Sequence, residues 1–202
     1  MKEIADILLK EKAVFLRPDE PFTWTSGIKS PVYCDNRLLI SSVESRKKII
    51  RAFVDLIKPM KPTAIAGTAT AGIPWAAWIA DEMDLPLVYI RGSSKEHGRK
   101  NAIEGQLHEG SQVVLIEDLI STGKSSIEAG EKIREAGHEL ICICSIFTYG
   151  FSQAVNLFEK NKMNVLSLTS FDILAQVAYD DKIIPEESLS QVLHWRKGVI
   201  FP

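Results

Sequence analysis

The sequence predicts an α/β fold, a mainly parallel sheet flanked by helices and preceded by a small α+β element. Three observations carry this expectation. Apolar runs of strand length alternate with amphipathic stretches of helix length from about residue 44 to residue 168. The runs Val113-Val114-Leu115-Ile116 and Ile141-Cys142-Ile143-Cys144 are apolar at every position, as strands buried on both faces require. With 202 residues, 46% of them hydrophobic, the chain can fill one sizeable core, so a single domain over 1–202 is expected.

Taken in order, Ile4, Ile7 and Leu8 recur at helical spacing before Pro18. From Pro21 to Asp35, aromatic residues, Ser26-Gly27 and Pro31 turn the chain extended. The pattern then predicts a helix over 44–57, a strand over 64–67, a helix over 73–83 and a strand over 87–90. After a connection over 91–111 come a strand over 113–116, a helix over 125–136, a strand over 140–147, a helix over 152–161 and a strand over 164–168. A short helix near 185–194 reads as packing or oligomer surface. The 91–111 connection breaks the rhythm: it is long, polar and glycine-spaced, as functional lids and linkers are. The sequence has no internal repeat and no low-complexity tract.

Composition excludes several classes. The formal charge of −2 gives no global reason to bind nucleic acid or an anionic membrane. Glu3 and Asp6 interrupt the start, and the longest apolar run, 140–147, is far shorter than the ~20 residues of a membrane helix, so a soluble, unexported, cytoplasmic protein is expected. Three cysteines do not make a disulfide framework. Cys142 and Cys144 share one face of a strand and read as packing thiols, because no His or further Cys completes a metal-ligand set.

In sheets of this kind ligands bind beyond the carboxyl ends of the strands. The most informative such end is Ile116-Glu117-Asp118-Leu119-Ile120-Ser121-Thr122-Gly123-Lys124-Ser125-Ser126. A hydroxyl-rich turn at a helix start offers free N–H groups and a positive helix end to a phosphate. Two acids beside it make sense if the ligand also presents ribose hydroxyls and a carbon that becomes oxocarbenium-like. As plain helix caps they would leave a buried strand ending in two uncompensated charges. Gly123-Lys124-Ser125 imitates the end of a nucleotide triphosphate loop, but the required first glycine would fall at Asp118. A second strand end, Gly67-Thr68-Ala69-Thr70-Ala71-Gly72-Ile73-Pro74, reads either as a tight turn or as a loop whose small residues let amides approach a pyrophosphate. The 91–111 connection concentrates Arg91, Lys95, His97, Arg99 and Lys100 among glycines and serines, suited to closing over a polyanion, with His97 beside Lys95 as a donor to departing pyrophosphate.

Together these segments resemble the type I phosphoribosyltransferase family, whose signature is an apolar strand, two acids and a Thr/Ser-Gly turn, here 113–126. Phe22-Thr23-Trp24-Thr25-Ser26-Gly27-Ile28-Lys29-Ser30-Pro31 and the run from Arg91 to Gly98 resemble the orotate phosphoribosyltransferases in particular, across nearly the whole chain. The resemblance implies a hood formed mainly by about 1–40, with C-terminal contributions, over the sheet's carboxyl edge. It implies transfer of a phosphoribosyl group from phosphoribosyl pyrophosphate to orotate with Mg²⁺, giving orotidine 5′-monophosphate and pyrophosphate in pyrimidine biosynthesis. Arg91, Lys95 and His97 are then expected at the pyrophosphate. Glu117, Asp118, Leu119, Ile120, Ser121, Thr122, Gly123, Lys124 and Ser125 are expected around ribose 5-phosphate, with Ser121 also touching orotate. Glu117, Asp118, Lys95 and His97 are the expected catalytic groups, and no side chain is expected to bind the metal directly. A homodimer with shared active sites is implied, the basic loop reaching the neighbouring subunit.

The chain departs from the enterobacterial branch of that family, which carries a lysine at the place of Thr25, a Tyr-Lys pair at Thr70-Ala71, a lysine at Gly92 and an arginine near Tyr149. With those cations missing, Lys29, Arg37 and the amides of 31–34 become the candidates for the orotate carboxylate. Two rivals share the machinery: a purine-base phosphoribosyltransferase, against which the 22–31 segment argues, and a non-catalytic sensor of phosphoribosyl pyrophosphate, for which an added nucleic-acid-binding element would be expected.

Overall fold

The computed structural model describes residues 1–24, 27–92 and 102–199. Helix α1 (Lys2–Lys10) buries Ile4, Ala5, Ile7 and Leu8, the helical stripe seen in the sequence. Four short strands follow: β1 (Val14–Leu16), β2 (Phe22–Thr23), β3 (Lys29–Ser30) and β4 (Val32–Cys34). They form two small antiparallel sheets, β1 with β4 and β2 with β3. A 3₁₀ turn over Asn36–Ile40 leads into α2 (Val43–Ile57).

The main sheet comprises β5 (Ala64–Thr68), β6 (Leu87–Ile90), β7 (Ile103–Glu104), β8 (Gln112–Ile120), β9 (Glu139–Thr148) and β10 (Val165–Ser170). Its order is β10-β9-β8-β5-β6-β7, parallel except for the edge strand β7. Helices α3 (Gly72–Met83), α4 (Lys124–Glu135) and α5 (Ser152–Lys160) make the crossovers β5-β6, β8-β9 and β9-β10. From β5 the chain steps one way to β6, and from β8 it steps the other way to β9. Right-handed crossovers therefore put α3 and α4 on opposite faces and leave a switch point between the carboxyl ends of β5 and β8.

Four features depart from the sequence reading. Strand β8 extends four residues beyond 116, so Glu117 and Asp118 lie within the strand rather than in the turn after it. The extension holds because β9 is equally long: Glu117 pairs with Ser145, Leu119 with Phe147 and Ile120 with Thr148. The other neighbour stops early, its last pair being Gly67 with Ile116. The 91–111 connection contributes β7, paired antiparallel to β6. Helix α6 (Phe171–Asp180), capped by Ser170, follows β10 directly, in a stretch to which the sequence reading assigns no element. The final helix, α7 (Glu186–Gly198), runs four residues past the expected end. Cys142 and Cys144 are buried free thiols, as their spacing suggested.

Candidate active site

Alternation along β8 sends its two acids to different environments. Glu117 is buried and accepts a hydrogen bond from Ser126 Oγ of α4 at 2.9 Å. Burial pushes its carboxyl up to about 7; the Ser126 bond opposes this, the Asp118 charge adds to it and the nearby Thr68 hydroxyl opposes it. That hydroxyl is itself buried and completes no hydrogen bond. Asp118, half-buried, is pushed up to about 6, again chiefly by burial, against backbone N–H groups and Arg37. Two carboxyls held near neutrality at one strand end form the kind of unsatisfied electrostatic arrangement that gathers at functional sites.

The hood is tied to this strand by a buried amide. Asn36 Nδ2 donates to the Asp118 carbonyl at 2.7 Å, and Asn36 Oδ1 accepts from Cys34 Sγ at 3.3 Å. Between hood and sheet lies a cavity of about 300 Å³ lined by Thr23, Trp24, Tyr33, Cys34, Leu119, Ser121 and Tyr149. Its walls are aromatic: the rings of Trp24 and Tyr149 meet edge to face with centroids 5.4 Å apart.

Two turns flank the acids. After β8, Gly123 adopts φ +79 as the first cap of α4, and a Cβ there would stand 2.7 Å from the Phe158 ring, so only glycine fits. No side chain caps α4, leaving its first N–H groups free for an anion. After β5, the Ala69–Thr70 peptide is cis. A Cβ at Gly72 would lie 2.4 Å from the Ile116 carbonyl oxygen, so the start of α3 abuts β8 just before its acids.

The structure thus brings Glu117, Asp118, Leu119, Ile120, Ser121, Thr122, Gly123, Lys124 and Ser125 to one strand end, with Leu119 and Ser121 in the cavity wall and Lys124 and Ser125 exposed. Arg91 stands at the foot of the basic connection and pairs with Glu104 of β7 at 2.8 Å. Its carbonyl and that of Gly92 accept from Lys132 Nζ at 2.7 and 3.0 Å. Lys95 and His97 lie outside the described residues. Neither cation suggested for a substrate carboxylate lines the cavity: Lys29 is exposed, and Arg37 forms a two-point pair with Asp35. Tyr33 and Tyr149 were not singled out from the sequence, although Tyr149 follows a strand's carboxyl end and position alone could have marked it.

Among the described residues, no group of three or more His, Cys, Asp or Glu side chains is placed to hold a metal ion. Glu117 and Asp118 provide only two carboxylates, a donor set that suits a hard cation taking most of its oxygens from a bound substrate. No helix among the described residues is long and apolar enough to cross a membrane.

Residues 41–181 match the family model described as a phosphoribosyl transferase domain. The chain is 48% identical over 199 residues to the orotate phosphoribosyltransferase of Listeria monocytogenes, covering 98% of this chain and 95% of that protein. It is 46% identical over 202 residues to the Fusobacterium nucleatum protein of the same name, covering 98% and 96%. The solved structure of orotate phosphoribosyltransferase from Aeropyrum pernix superposes with a TM-score of 0.78 at 26% identity, covering 90% of this chain and 99% of that one.

Proposed function

Since the chain belongs to the phosphoribosyltransferase family, and within it to the orotate phosphoribosyltransferases, we propose that it is a soluble cytoplasmic enzyme whose Glu117-Asp118 strand end and adjoining aromatic cavity carry that family's reaction. It transfers the 5-phosphoribosyl group of phosphoribosyl pyrophosphate to orotate, giving orotidine 5′-monophosphate and pyrophosphate. The observation that carries the residue assignment is the flat-walled cavity of about 300 Å³ directly beside two carboxyls at the switch point of the sheet.

In this reading the pyrimidine ring lies in the cavity against the aromatic surface of Trp24, Tyr33 and Tyr149, with Ser121 and backbone amides of 31–34 as polar partners. Of the candidates for the orotate carboxylate, Lys29 is exposed and Arg37 is paired with Asp35, which leaves those amides the strongest. The free N–H groups of 122–125 take the 5-phosphate, and the Gly67–Gly72 turn takes pyrophosphate oxygens. Asp118 and Glu117 orient the ribose hydroxyls and, once ionised, stabilise positive charge on the ribose as the C1–O bond loosens. Bound Mg²⁺, held chiefly by ribose hydroxyls and pyrophosphate oxygens with the acids assisting through water, would neutralise charge on the leaving group. Arg91, Lys95 and His97 serve the pyrophosphate side, Lys95 and His97 stabilising or protonating it as it leaves. N1 of deprotonated orotate then attacks the ribose carbon, and no covalent enzyme intermediate is needed. We also propose that residues 1–202 act as one domain and that two copies share their sites through the basic loop.

The test follows orotate by its ultraviolet absorbance. Loss of absorbance is expected only when phosphoribosyl pyrophosphate and Mg²⁺ are both present. Adenine, guanine and hypoxanthine are expected to be poorer by ~10⁴-fold, because a site built to pair a substrate's polar groups rejects analogues that leave them unpaired. Comparable turnover of a purine would overturn the base assignment.

A further inference from the structure

The cavity's two aromatic walls meet each other directly, and Trp24 Nε1 donates to the Val32 carbonyl at 3.4 Å, but each wall is carried by a short or terminal stretch of backbone. Trp24 follows β2, whose hairpin with β3 has only two residue pairs, Phe22 with Ser30 and Thr23 with Lys29. An isolated hairpin of that size has little stability in water. Tyr149 stands at the end of β9, followed by Gly150 at φ +64, where the chain leaves the sheet.

Both walls are held from outside by adjacent residues of α7 that do not themselves line the cavity. Trp195 Nε1 donates to the Lys29 carbonyl at 2.9 Å, and its ring meets those of Trp24 and Phe151 edge to face at 6.0 and 5.9 Å. Arg196 donates through one terminal nitrogen to the Gly150 carbonyl at 2.9 Å and through the other to Asp172 of α6 at 2.8 Å. Its side chain is only 15% exposed, and a buried guanidinium in two charge-assisted bonds has few other positions open to it.

We propose that Trp195 and Arg196 are positioning residues for the base cavity, holding the abutting Trp24 and Tyr149 walls in place against β8 and so setting the affinity for orotate separately from that for phosphoribosyl pyrophosphate. The separation of effects follows from where they act. Glu117 and Asp118 are bonded to β9, Asn36 and α4, and the wall held by Arg196 meets β8 two residues beyond them, where the Tyr149 N–H donates to the Ile120 carbonyl at 3.0 Å. The orotate half of the proposal rests on the function proposed above.

Two measurements on Trp195→Phe and Arg196→Met test it. Trp195→Phe keeps an aromatic ring beside Trp24 and Phe151 but removes the five-membered ring of the indole with its N–H, so it loses the bond to Lys29 together with part of the packing. In the free protein, amide hydrogen exchange is expected to speed up in Trp195→Phe at Trp24 and Gly27, whose N–H groups close the hairpin, and in Arg196→Met at Tyr149 and Gly150, while staying slow in both at Val114 and Ile143 of the sheet. In the assay, KM for orotate is expected to rise about 10-fold, the equivalent of a hydrogen bond of ~1.4 kcal/mol, with KM for phosphoribosyl pyrophosphate within twofold of wild type. Unchanged exchange at Trp24 and Gly27 in Trp195→Phe, or at Tyr149 and Gly150 in Arg196→Met, would overturn that residue's part in the clamp. Faster exchange with both KM values rising together would overturn the positioning role, since it would mean general loosening. A wild-type protein that does not consume orotate would overturn the orotate half, while the exchange result would still decide the clamp.

Discussion

At the residue scale, the two acids of β8 combine a cost to folding with a use in catalysis. Replacing Asp118 by Asn keeps the shape and the backbone bonds but removes the charge proposed to face the ribose. Turnover is expected to fall ~10²-fold or more with little change in the Kd for phosphoribosyl pyrophosphate, and an unchanged kcat in the folded variant would refute the role. Glu117 permits a test through stability. Its native value near 7 lies above the ordinary 4.5, so the folded protein holds this proton more tightly than the unfolded chain does. The contribution to stability is therefore full below about pH 4.5 and is lost as pH rises towards 7. Glu117→Gln retains an acceptor for Ser126 and cannot ionise. Substrate-free thermal melts should place it roughly 5 °C above wild type at pH 8 and no higher than wild type at pH 4.5, while its activity falls. A melting difference independent of pH would show that the carboxyl's ionisation is not what strains the strand.

At the element scale, the site depends on how closely two strand-helix turns approach each other. Gly72→Ala would drive a methyl group against the Ile116 carbonyl, and α3 must move from β8 to relieve it. The expected result is a loss of ~1–3 kcal/mol in denaturant unfolding and at least a 10-fold weaker affinity for phosphoribosyl pyrophosphate, read by titration calorimetry. The alternating elements, the buried central strands and the acids followed by a glycine turn were legible in the sequence because each is a local pattern. The extension of β8 was not, because it depends on the length of β9, a neighbour in space. Helix α6 follows β10 without a connecting loop, and the only local mark of its start is the cap at Ser170 with Asp172 in the first turn. The 91–111 connection reads as one long loop until Ile103 and Glu104 find β6, since a two-residue edge strand has no periodicity to detect. The cavity lining was half visible: Trp24 sits in a recognisable segment, whereas Tyr33, Tyr149 and the bridging amide of Asn36 acquire their roles only when the hood folds over β8.

At the scale of the whole molecule, the shared-site dimer is testable by mixing. Asp118→Asn and Lys95→Ala should each be nearly inactive. Co-expressed, about half of the dimers form as mixed pairs with one intact site, so the pool should recover roughly a quarter of wild-type activity. A pool containing verified mixed dimers that stays as inactive as its parents would place the loop over its own subunit. The clamp on the cavity has a different reach. Lys29 and Trp195 are 166 positions apart, so the contact between them forms only after both have been synthesised. Chains emerge at ~5–20 residues per second and their earlier parts begin to fold first. The nascent protein can therefore assemble the phosphate-binding turns of β5 and β8 while the Lys29 carbonyl is still bonded to water. A ribosome stalled before Trp195 would display a chain whose phosphate-binding turns can form while its base cavity still lacks the proposed clamp, so the tightening on the base comes later in synthesis than the seat for the sugar phosphate.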